Sequence, residues 1–405
     1  MPEIHPPLSA FLARSEASRC LYCHDPPCLA ACPTAINIPE FIHRIADSNP
    51  LGAAEVILSA NPLGASCARV CPVEELCEGA CVLGAQYRPI AIGQLQRYAT
   101  DSAYATGRPL FQPGPASGKR VAVVGAGPAG LACATGLLQA GHAVTIYEQN
   151  PLAGGLSSYG IIPQREPLEV ALAEVAQVVA LGAELKTGVK VDSQLCQDLI
   201  QSYDAVFLAL GLGQVNDLEL PGAELAQDGL EWIASAKLAP NNLRVLNPVV
   251  VIGGGNTALD CATVARAYGA EVTVLVRRSA AELRAYPHEV AQAHALGIQF
   301  RFLAVPARIT AEGVWLQDGT LVPAAQVIRA TGQSGSDLAG QLGLAQKGKY
   351  ISVDAEGKTN LERVWAGGDC TRSRGMAATV TAVRDGLNSA ASIDHYLQGE
   401  RAWRT

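Results

Sequence analysis

Apolar and polar positions along the chain change rhythm once, near residue 112. Before that point they repeat at helical intervals. Ile36–Ala46 and Gly52–Ala60 read as helices, Pro89–Tyr98 as another, and no strand pattern stands out between them. Beyond it, short apolar runs alternate with helix-length stretches. Val121–Val124 predicts a buried parallel strand, the segment after it a helix, and Thr145–Glu148 a second strand. Pro167–Leu181 predicts a helix, and Ala205–Gly211 a strand ending in glycine. The same order then restarts with Val249–Ile252, a helical stretch and Thr273–Val276. Val327–Gly332 and Val364–Asp369 predict further strands. Met376–Leu397 predicts a helix with Val380, Val383, Leu387, Ala390 and Leu397 on one face. The fold class implied is an α-helical head followed by α/β with parallel sheets.

The turns inside this rhythm carry chemistry. Gly125-Ala-Gly127-Pro128-Ala129-Gly130 joins the first strand to its helix as G-x-G-x-x-G. Gly125 permits the tight turn, Gly127 lets the backbone approach a pyrophosphate, and Gly130 lets helix and strand pack closely. Phosphates then meet a helix N-terminus, whose free N–H groups and dipole favour anions. Glu148 ends the second strand, where a carboxylate accepts hydrogen bonds from ribose hydroxyls. Gly154-Gly155 and Tyr159–Pro163 form a loop suited to line a flavin.

A second fingerprint reads Gly253-Gly-Gly255-Asn256-Thr257-Ala258. Val276 stands where Glu148 stood, and Arg277, Arg278 and Arg284 follow. Guanidinium groups pair with a ribose 2′-phosphate that a carboxylate would repel, which favours NADP(H) over NAD(H). Arginines at a strand end also commonly cover a solvent edge. After Gly368, Asp369 is placed to accept a ribityl hydroxyl, and the helix start at Ala377–Thr379 to stabilise electron-rich flavin; a helix-capping aspartate is the structural alternative. Two fingerprints and this return predict an FAD domain split into 113–225 and 326–405. An NAD(P) domain, 226–325, is inserted between its halves.

The chain has 405 residues, 17% of them charged, and a net charge of −7, which opposes a nucleic-acid role. The start, MPEIHPPLSAF, has no basic and apolar leader, and no apolar run is long enough to span a bilayer. The expectation is a cytoplasmic protein, in which twelve cysteines point to metal or redox use rather than disulfides. Eight lie between Cys20 and Cys81. Cys20, Cys23, Cys28 and Cys32 read C-x2-C-x4-C-x3-C-P; Cys67 and Cys71 read C-x3-C-P, followed by Cys77 and Cys81. Eight thiolates are the number two 4Fe–4S clusters need. Where a cysteine before proline ligates the other cluster, Cys20, Cys23 and Cys28 hold one cluster with a thiolate from the second half. Cys32 then joins Cys71 and Cys77. Two tetrahedral zinc sites are the alternative, but the C-x2-C spacing of zinc ribbons occurs only once in this head. Pro113–Gly118 is the expected link between the head, 1–112, and the body. The body's Cys133, Cys196, Cys261 and Cys370 are scattered without a C-x-x-C, against disulfide reduction.

Taken together, the cysteine-rich head, GAGPAG, Gly-Gly-x3-Tyr-Gly-Ile, the second GGG, Arg-Arg and Ala-Gly-Gly-Asp resemble the glutamate synthase small-subunit family across nearly the whole chain. That family includes the N-terminal half of mammalian dihydropyrimidine dehydrogenase and the flavin subunit of the bacterial two-subunit enzyme. Cys20-Leu-Tyr-Cys23-His-Asp-Pro-Pro-Cys28, Asn61-Pro-Leu-Gly64 and Cys71-Pro-Val-Glu-Glu-Leu-Cys77 look most like the dihydropyrimidine branch. The resemblance implies two 4Fe–4S clusters, FAD and a nicotinamide cofactor. It implies Gln96, in Gly93-Gln-Leu-Gln96, as a cluster ligand in place of Cys67, beside Cys32, Cys71 and Cys77. It also implies 2′-phosphate contacts by Arg277, Arg278 and Arg284, although the bacterial enzyme is associated with NAD. Nothing here resembles an FMN barrel, so an FMN-containing catalytic partner subunit is implied. Hydride exchange between stacked rings needs orientation rather than a side-chain acid or base, and no catalytic residue is named. Electron input to a glutamate synthase large subunit or a ferredoxin is the competing reading.

Overall fold

The computed structural model describes residues 3–213, 215–372 and 375–402. They gather into two compact units. The first comprises Ile4–Ser157, Glu169–Leu212 and Gly335–Thr405; the second comprises Met1–Glu3, Ser158–Leu168 and Gly213–Ser334.

The first unit opens with helices α1 (Ala10–Ala17), α2 (Pro27–Ala31), α3 (Ile38–Ala46), α4 (Pro50–Ala60), α5 (Gly64–Val70) and α6 (Ile92–Tyr104). Asn37 and Asn49 cap α3 and α4 by accepting from Glu40 N and Gly52 N, and a proline stands in the first turn of each. In α3, Ile38, Phe41, Ile42 and Ile45 recur at helical spacing and are buried. They enter one hydrophobic core that also holds Val121 and Val123 of the following sheet, with Leu131 and Val178. The segment Pro113–Gly118 is docked rather than free. Gly114 N donates to Leu138 O at 3.1 Å and Ser117 N to Gly141 O at 2.8 Å.

The chain continues through β1 (Arg120–Val124), α7 (Pro128–Gln139), β2 (Ala143–Tyr147), the single turn α8 (Leu156–Tyr159), α9 (Leu168–Ala180), β3 (Glu184–Lys186), α10 (Ser193–Ser202) and β4 (Ala205–Leu208). β1, β2, β3 and β4 pair in parallel, and the apolar runs that form β1 and β4 are buried.

The second unit contains β5 (Ala226–Asp228), α11 (Gly229–Leu238), β6 (Val249–Ile252), α12 (Asn256–Ala267), β7 (Val272–Val276), α13 (Pro287–Ala295), β8 (Gln299–Phe302), β9 (Pro306–Thr310), β10 (Gly313–Leu316), β11 (Leu321–Pro323) and β12 (Gln326–Arg329). Its parallel sheet has the order β5-β12-β6-β7-β8, and β9–β11 form a separate antiparallel meander. The strand expected over Val327–Gly332 in the flavin half therefore belongs to this second sheet, where β12 pairs with both β5 and β6. An apolar run ending in glycine fits either sheet; only pairing across the intervening meander assigns it.

The last stretch returns to the first unit with α14 (Asp337–Gln341), the pair β13 (Gln346–Lys347) and β14 (Tyr350–Ile351), β15 (Val364–Ala366) and α15 (Thr379–Ala402). β15 pairs in parallel with β4 and completes the order β15-β4-β1-β2-β3. The expected helix over Met376–Leu397 begins at Thr379, so Ala377 precedes it. α15 lies on α7 at close range. A Cβ added at Gly386 would stand 2.2 Å from Ala129 O, and one at Gly136 would stand 2.9 Å from Ala390 Cβ.

Candidate functional site

At the C-terminal end of β1 the backbone turns at Gly125, with φ +104°, and a Cβ there would lie 2.3 Å from Ala209 O, just past β4. The second unit repeats this geometry: Gly253 has φ +152°, and its Cβ would lie 2.3 Å from Ala330 O, just past β12. Gly130 packs against the carbonyl of Gly125, where a Cβ would come within 1.9 Å. Gly127 N-caps α7, with Pro128 and Ala129 in its first turn. Gly127 faces Gly155 backbone to backbone, and a Cβ on Gly155 would stand 2.7 Å from Gly127 Cα. This side-chain-free cleft at a helix N-terminus suits a pyrophosphate.

Glu148 follows β2 and is buried. Its Oε2 accepts from Ala126 N at 2.9 Å, and its Oε1 accepts from Asn150 N at 2.8 Å and Asn150 Nδ2 at 2.9 Å. The carboxylate is thus oriented by the fingerprint loop itself. Gly368 closes the other side, since a Cβ on it would stand 2.9 Å from Ala129 Cβ. Its N–H donates to Asp385 Oδ2 at 3.0 Å. Asp369 sits in the turn after β15; burial pushes its carboxyl up, the nearby Arg372 charge opposes this, and Asp385 adds to it. The structure therefore gathers Gly125–Gly130, Glu148, Gly155 and Gly368 into one site at the start of α7, with Asp369 next to Gly368 in the chain. Its donor set fits a flavin dinucleotide. Ala377 and Thr379 stand at the N-terminal end of α15, with Ala378 N bonded to Thr381 Oγ1 at 3.3 Å.

In the second unit, Gly255 N-caps α12, and a Cβ on it would meet nothing within 4 Å. Asn256 Oδ1 accepts from Tyr286 N at 3.1 Å, and Thr257 lies in the first helical turn. Val276 ends β7, with Arg277 exposed, Arg278 half-buried and Arg284 exposed. Arg284 N donates to Gly254 O at 3.2 Å, which ties that loop to the fingerprint. Ser158–Leu168, which includes the Tyr159–Pro163 stretch, joins this unit. Arg165 Nε pairs with Asp260 Oδ1 at 3.1 Å and its Nη1 with Glu289 Oε1 at 2.7 Å, while Lys237 Nζ donates to Ile161 O.

None of the twelve cysteines is in a disulfide. Cys20, Cys23, Cys28 and Cys81 line one pocket in the head, walled by Ile38, Ile42, Ile90 and Ile92. Burial, and then the neighbouring Cys23 and Cys81, push the Cys20 thiol up; burial, with Cys20 and Cys81 beside it, pushes Cys28 up to about 11. Cys71 is pushed up by a hydrogen bond to Cys67, by burial, and by the charges of Cys67, Cys77 and Cys32. Burial first, then Glu78 and Cys32, raises Cys77. Cys20, Cys23, Cys28 and Cys81 thus share one pocket and Cys32, Cys67 and Cys77 surround Cys71, with Cys28 also close enough to Cys77 to act on it. Half-buried thiols that repel one another as thiolates call for a cationic centre between them, which suits iron–sulfur clusters. Among the described residues, no three His, Cys, Asp or Glu side chains converge tightly enough to hold a single metal ion. Gln96 is buried on α6, and its Nε2 donates to Gly64 O at 2.8 Å, at the start of the helix that carries Cys67.

Two sets of residues gave no signal in the sequence. One is the Arg165 network described above. The other is Glu174 on α9, whose carboxylate accepts from the N-terminus of α5. Neither lies in a motif; each is a charged residue in a helix or loop whose partner is remote in sequence.

A parallel flavin-type sheet, a second dinucleotide fold and a cysteine-lined helical head define a flavoprotein oxidoreductase with an iron–sulfur domain. Residues 119–386 match the pyridine nucleotide-disulphide oxidoreductase family, and residues 1–108 match dihydropyrimidine dehydrogenase domain II, 4Fe-4S cluster. The chain is 34% identical over 411 residues to the NAD-dependent dihydropyrimidine dehydrogenase subunit PreT of Escherichia coli K12, covering 98% of each. It is 31% identical over 448 residues to the glutamate synthase (NADPH) small chain of the same organism, covering 98% of this chain and 94% of that one. The fold aligns with thioredoxin reductase of T. acidophilum at a TM-score of 0.57 and 20% identity, covering 69% of this chain and 99% of that one. The chain belongs to the pyridine nucleotide-disulphide oxidoreductase family, in the branch of dihydropyrimidine dehydrogenase PreT subunits and glutamate synthase small chains. It is an NAD(P)-dependent oxidoreductase with an iron–sulfur head. No helix of the described residues is long and apolar enough to cross a membrane.

Proposed function

We propose that this chain is the electron-transfer subunit of a cytoplasmic dihydropyrimidine dehydrogenase, working with an FMN-containing partner that interconverts uracil or thymine with their 5,6-dihydro forms. The observation that carries the reading is the sorting of eight head cysteines into two groups, on a unit whose core is continuous with the flavin-type sheet. When bound, FAD exchanges electron pairs with a nicotinamide and single electrons with 4Fe–4S clusters. Cys20, Cys23, Cys28 and Cys81 would hold one cluster. Cys32, Cys71, Cys77 and Gln96 would hold the other, with Cys67 buried beside it.

Gly127, Pro128, Ala129, Gly130 and Gly155 would leave room for the FAD pyrophosphate, and Glu148 would accept from its ribose. Asp369, with the α15 start at Ala377–Thr379, would orient the flavin end. Gly253, Gly255, Asn256 and Thr257 would take the nicotinamide dinucleotide. Arg277, Arg278 and Arg284 favour NADP(H). The relatives' names divide on this point, NAD-dependent for the PreT subunit and NADPH for the glutamate synthase small chain. Co-purification from the native host tests the partner: recovery of an FMN protein that reduces uracil supports the reading, and recovery of a glutamate synthase large subunit overturns it. Anaerobically purified protein is expected to carry about eight irons and one FAD per chain, as two four-iron clusters and one flavin site require. Stoichiometric zinc without visible absorption is the opposing result.

A further inference from the structure

α5 carries Cys67 in its middle and ends at Cys71, so its position sets where the second cysteine group lies. Its first turn is held from outside the head. Glu174 projects from α9 and is 3% exposed. Its Oε1 accepts from Ala65 N at 2.9 Å and Ser66 N at 3.0 Å, and its Oε2 accepts from Ser66 Oγ. One carboxylate thereby satisfies donors that a helix N-terminus otherwise leaves open. One turn further on, Gln177 Oε1 accepts from Leu110 N at 2.8 Å, and Val178 enters the shared core. α9 is thus a clamp that holds the cysteine-bearing helix and the end of the head together.

The surroundings are charged and closed. Arg69, also on α5, has a buried side chain; its Nη1 donates to Ala65 O at 3.1 Å and its Nη2 to Asp101 Oδ1 at 2.7 Å. Asp101 also receives Arg97 Nε at 3.2 Å. Ser66 and Cys71 are five residues apart, about 7 Å along a helix axis. Glu174 thus sits at one end of the short helix whose other end is capped by Cys71, and charges act strongly on one another across a low-dielectric interior.

We propose that Glu174 is a positioning residue for electron transfer: it fixes α5 against the flavin-binding part of the chain, and its negative charge holds down the reduction potential of the cluster at Cys32, Cys71 and Cys77. This rests on the two-cluster reading above. The expected direction follows from charge alone, because an anion beside a cluster opposes its reduction. Neutralising Glu174 raises the potential of that cluster and leaves the one at Cys20, Cys23, Cys28 and Cys81 unchanged.

The test is a potentiometric titration of the anaerobically purified full-length protein, followed by electron paramagnetic resonance. A Cys23→Ser variant assigns the two signals. Glu174→Gln keeps the side chain's size and an acceptor oxygen but removes the charge, and is expected to shift one cluster's midpoint upward. Glu174→Asp keeps the charge and is expected to stay closer to the unmutated midpoint. Single-turnover reduction by NADPH gives a second reading: flavin reduction is expected to be unchanged in Glu174→Gln, while the rate of cluster reduction changes. Unmoved midpoints in Glu174→Gln, equal shifts of both clusters, or Glu174→Asp shifting as far as Glu174→Gln would each overturn the proposal. Iron bound in the unmutated protein with any of these results leaves the two-cluster reading standing. Absence of iron overturns that reading, and this proposal with it.

Discussion

Single residues divide into those whose type declared a task and those whose task depends on a remote partner. Gly125 and Glu148 stand out in the sequence because a fingerprint fixes both identity and spacing, and in the fold Glu148 Oε2 accepts from Ala126 N of the same loop. Glu174 does not, because its partners Ala65 and Ser66 lie more than a hundred residues away. The eighth ligand remains the sharpest test of a residue-level reading. Cys67 is buried and hydrogen-bonded to Cys71, and Gln96 uses its amide nitrogen on Gly64 O, which leaves its carbonyl oxygen to point elsewhere. Cys71→Ala is expected to remove one cluster, about half the iron, whereas Cys67→Ala is expected to retain both. An equal loss of iron in the two variants would assign the ligand to Cys67. The nucleotide preference belongs to this scale as well. Arg277 and Arg278 follow Val276, where an acid would repel a 2′-phosphate, and planar guanidinium groups suit bidentate contact. Replacing both with alanine should cost on the order of 2–4 kcal/mol of NADPH binding, roughly thirty- to a thousandfold, with little effect on NADH. A higher kcat/KM with NADH than with NADPH in the unmutated protein would reverse the assignment.

At the scale of elements, strand and helix types followed from apolar rhythm, but sheet membership did not. β12 and β15 are both short apolar runs near a glycine, yet β12 pairs with β6 and β15 with β4. Nothing local distinguishes them, because neighbour choice depends on contacts remote in sequence. Ser158–Leu168 makes the same point. It follows the flavin fingerprint in sequence, and Arg165 fastens it to α12 and α13 of the second unit. The helix pair α7 and α15 depends on small residues where the two axes approach. Gly386 leaves no room beside Ala129 O, so Gly386→Val is expected to force the helices apart at the start of α7. Overpacking of this kind costs about 1–3 kcal/mol. Because Gly127–Gly130 opens α7, the visible sign should be weakened FAD retention on gel filtration. Full flavin occupancy with an unchanged melting temperature would show that this contact yields without cost.

For the whole molecule, the rhythm change near residue 112 suggested a head joined to a body through a proline- and glycine-rich link. The link is present in sequence, but Gly114 and Ser117 bond to the last turn of α7 and the residues just after it, and one hydrophobic core runs from Phe41 and Leu95 to Val121 and Val178. Core continuity has a thermodynamic consequence. Elements that share buried apolar surface unfold together, whereas compact units with separate cores open separately. The second unit has its own core, in which Val250, Ile252 and Leu275 pack with Ile309 and Val314. Heating the loaded protein anaerobically is therefore expected to release FAD and bleach the iron–sulfur absorption in one transition. Loss of NADP(H) binding should form a second. Stripping iron with a chelator removes the cationic centres that the crowded head thiols need, so it is expected to lower the temperature of flavin release as well. Flavin fluorescence and visible absorption followed in the same scan measure both. Bleaching of the clusters well below flavin release, with flavin release unmoved by the chelator, would mean that the head melts alone and that the shared core contributes little to holding the cofactor.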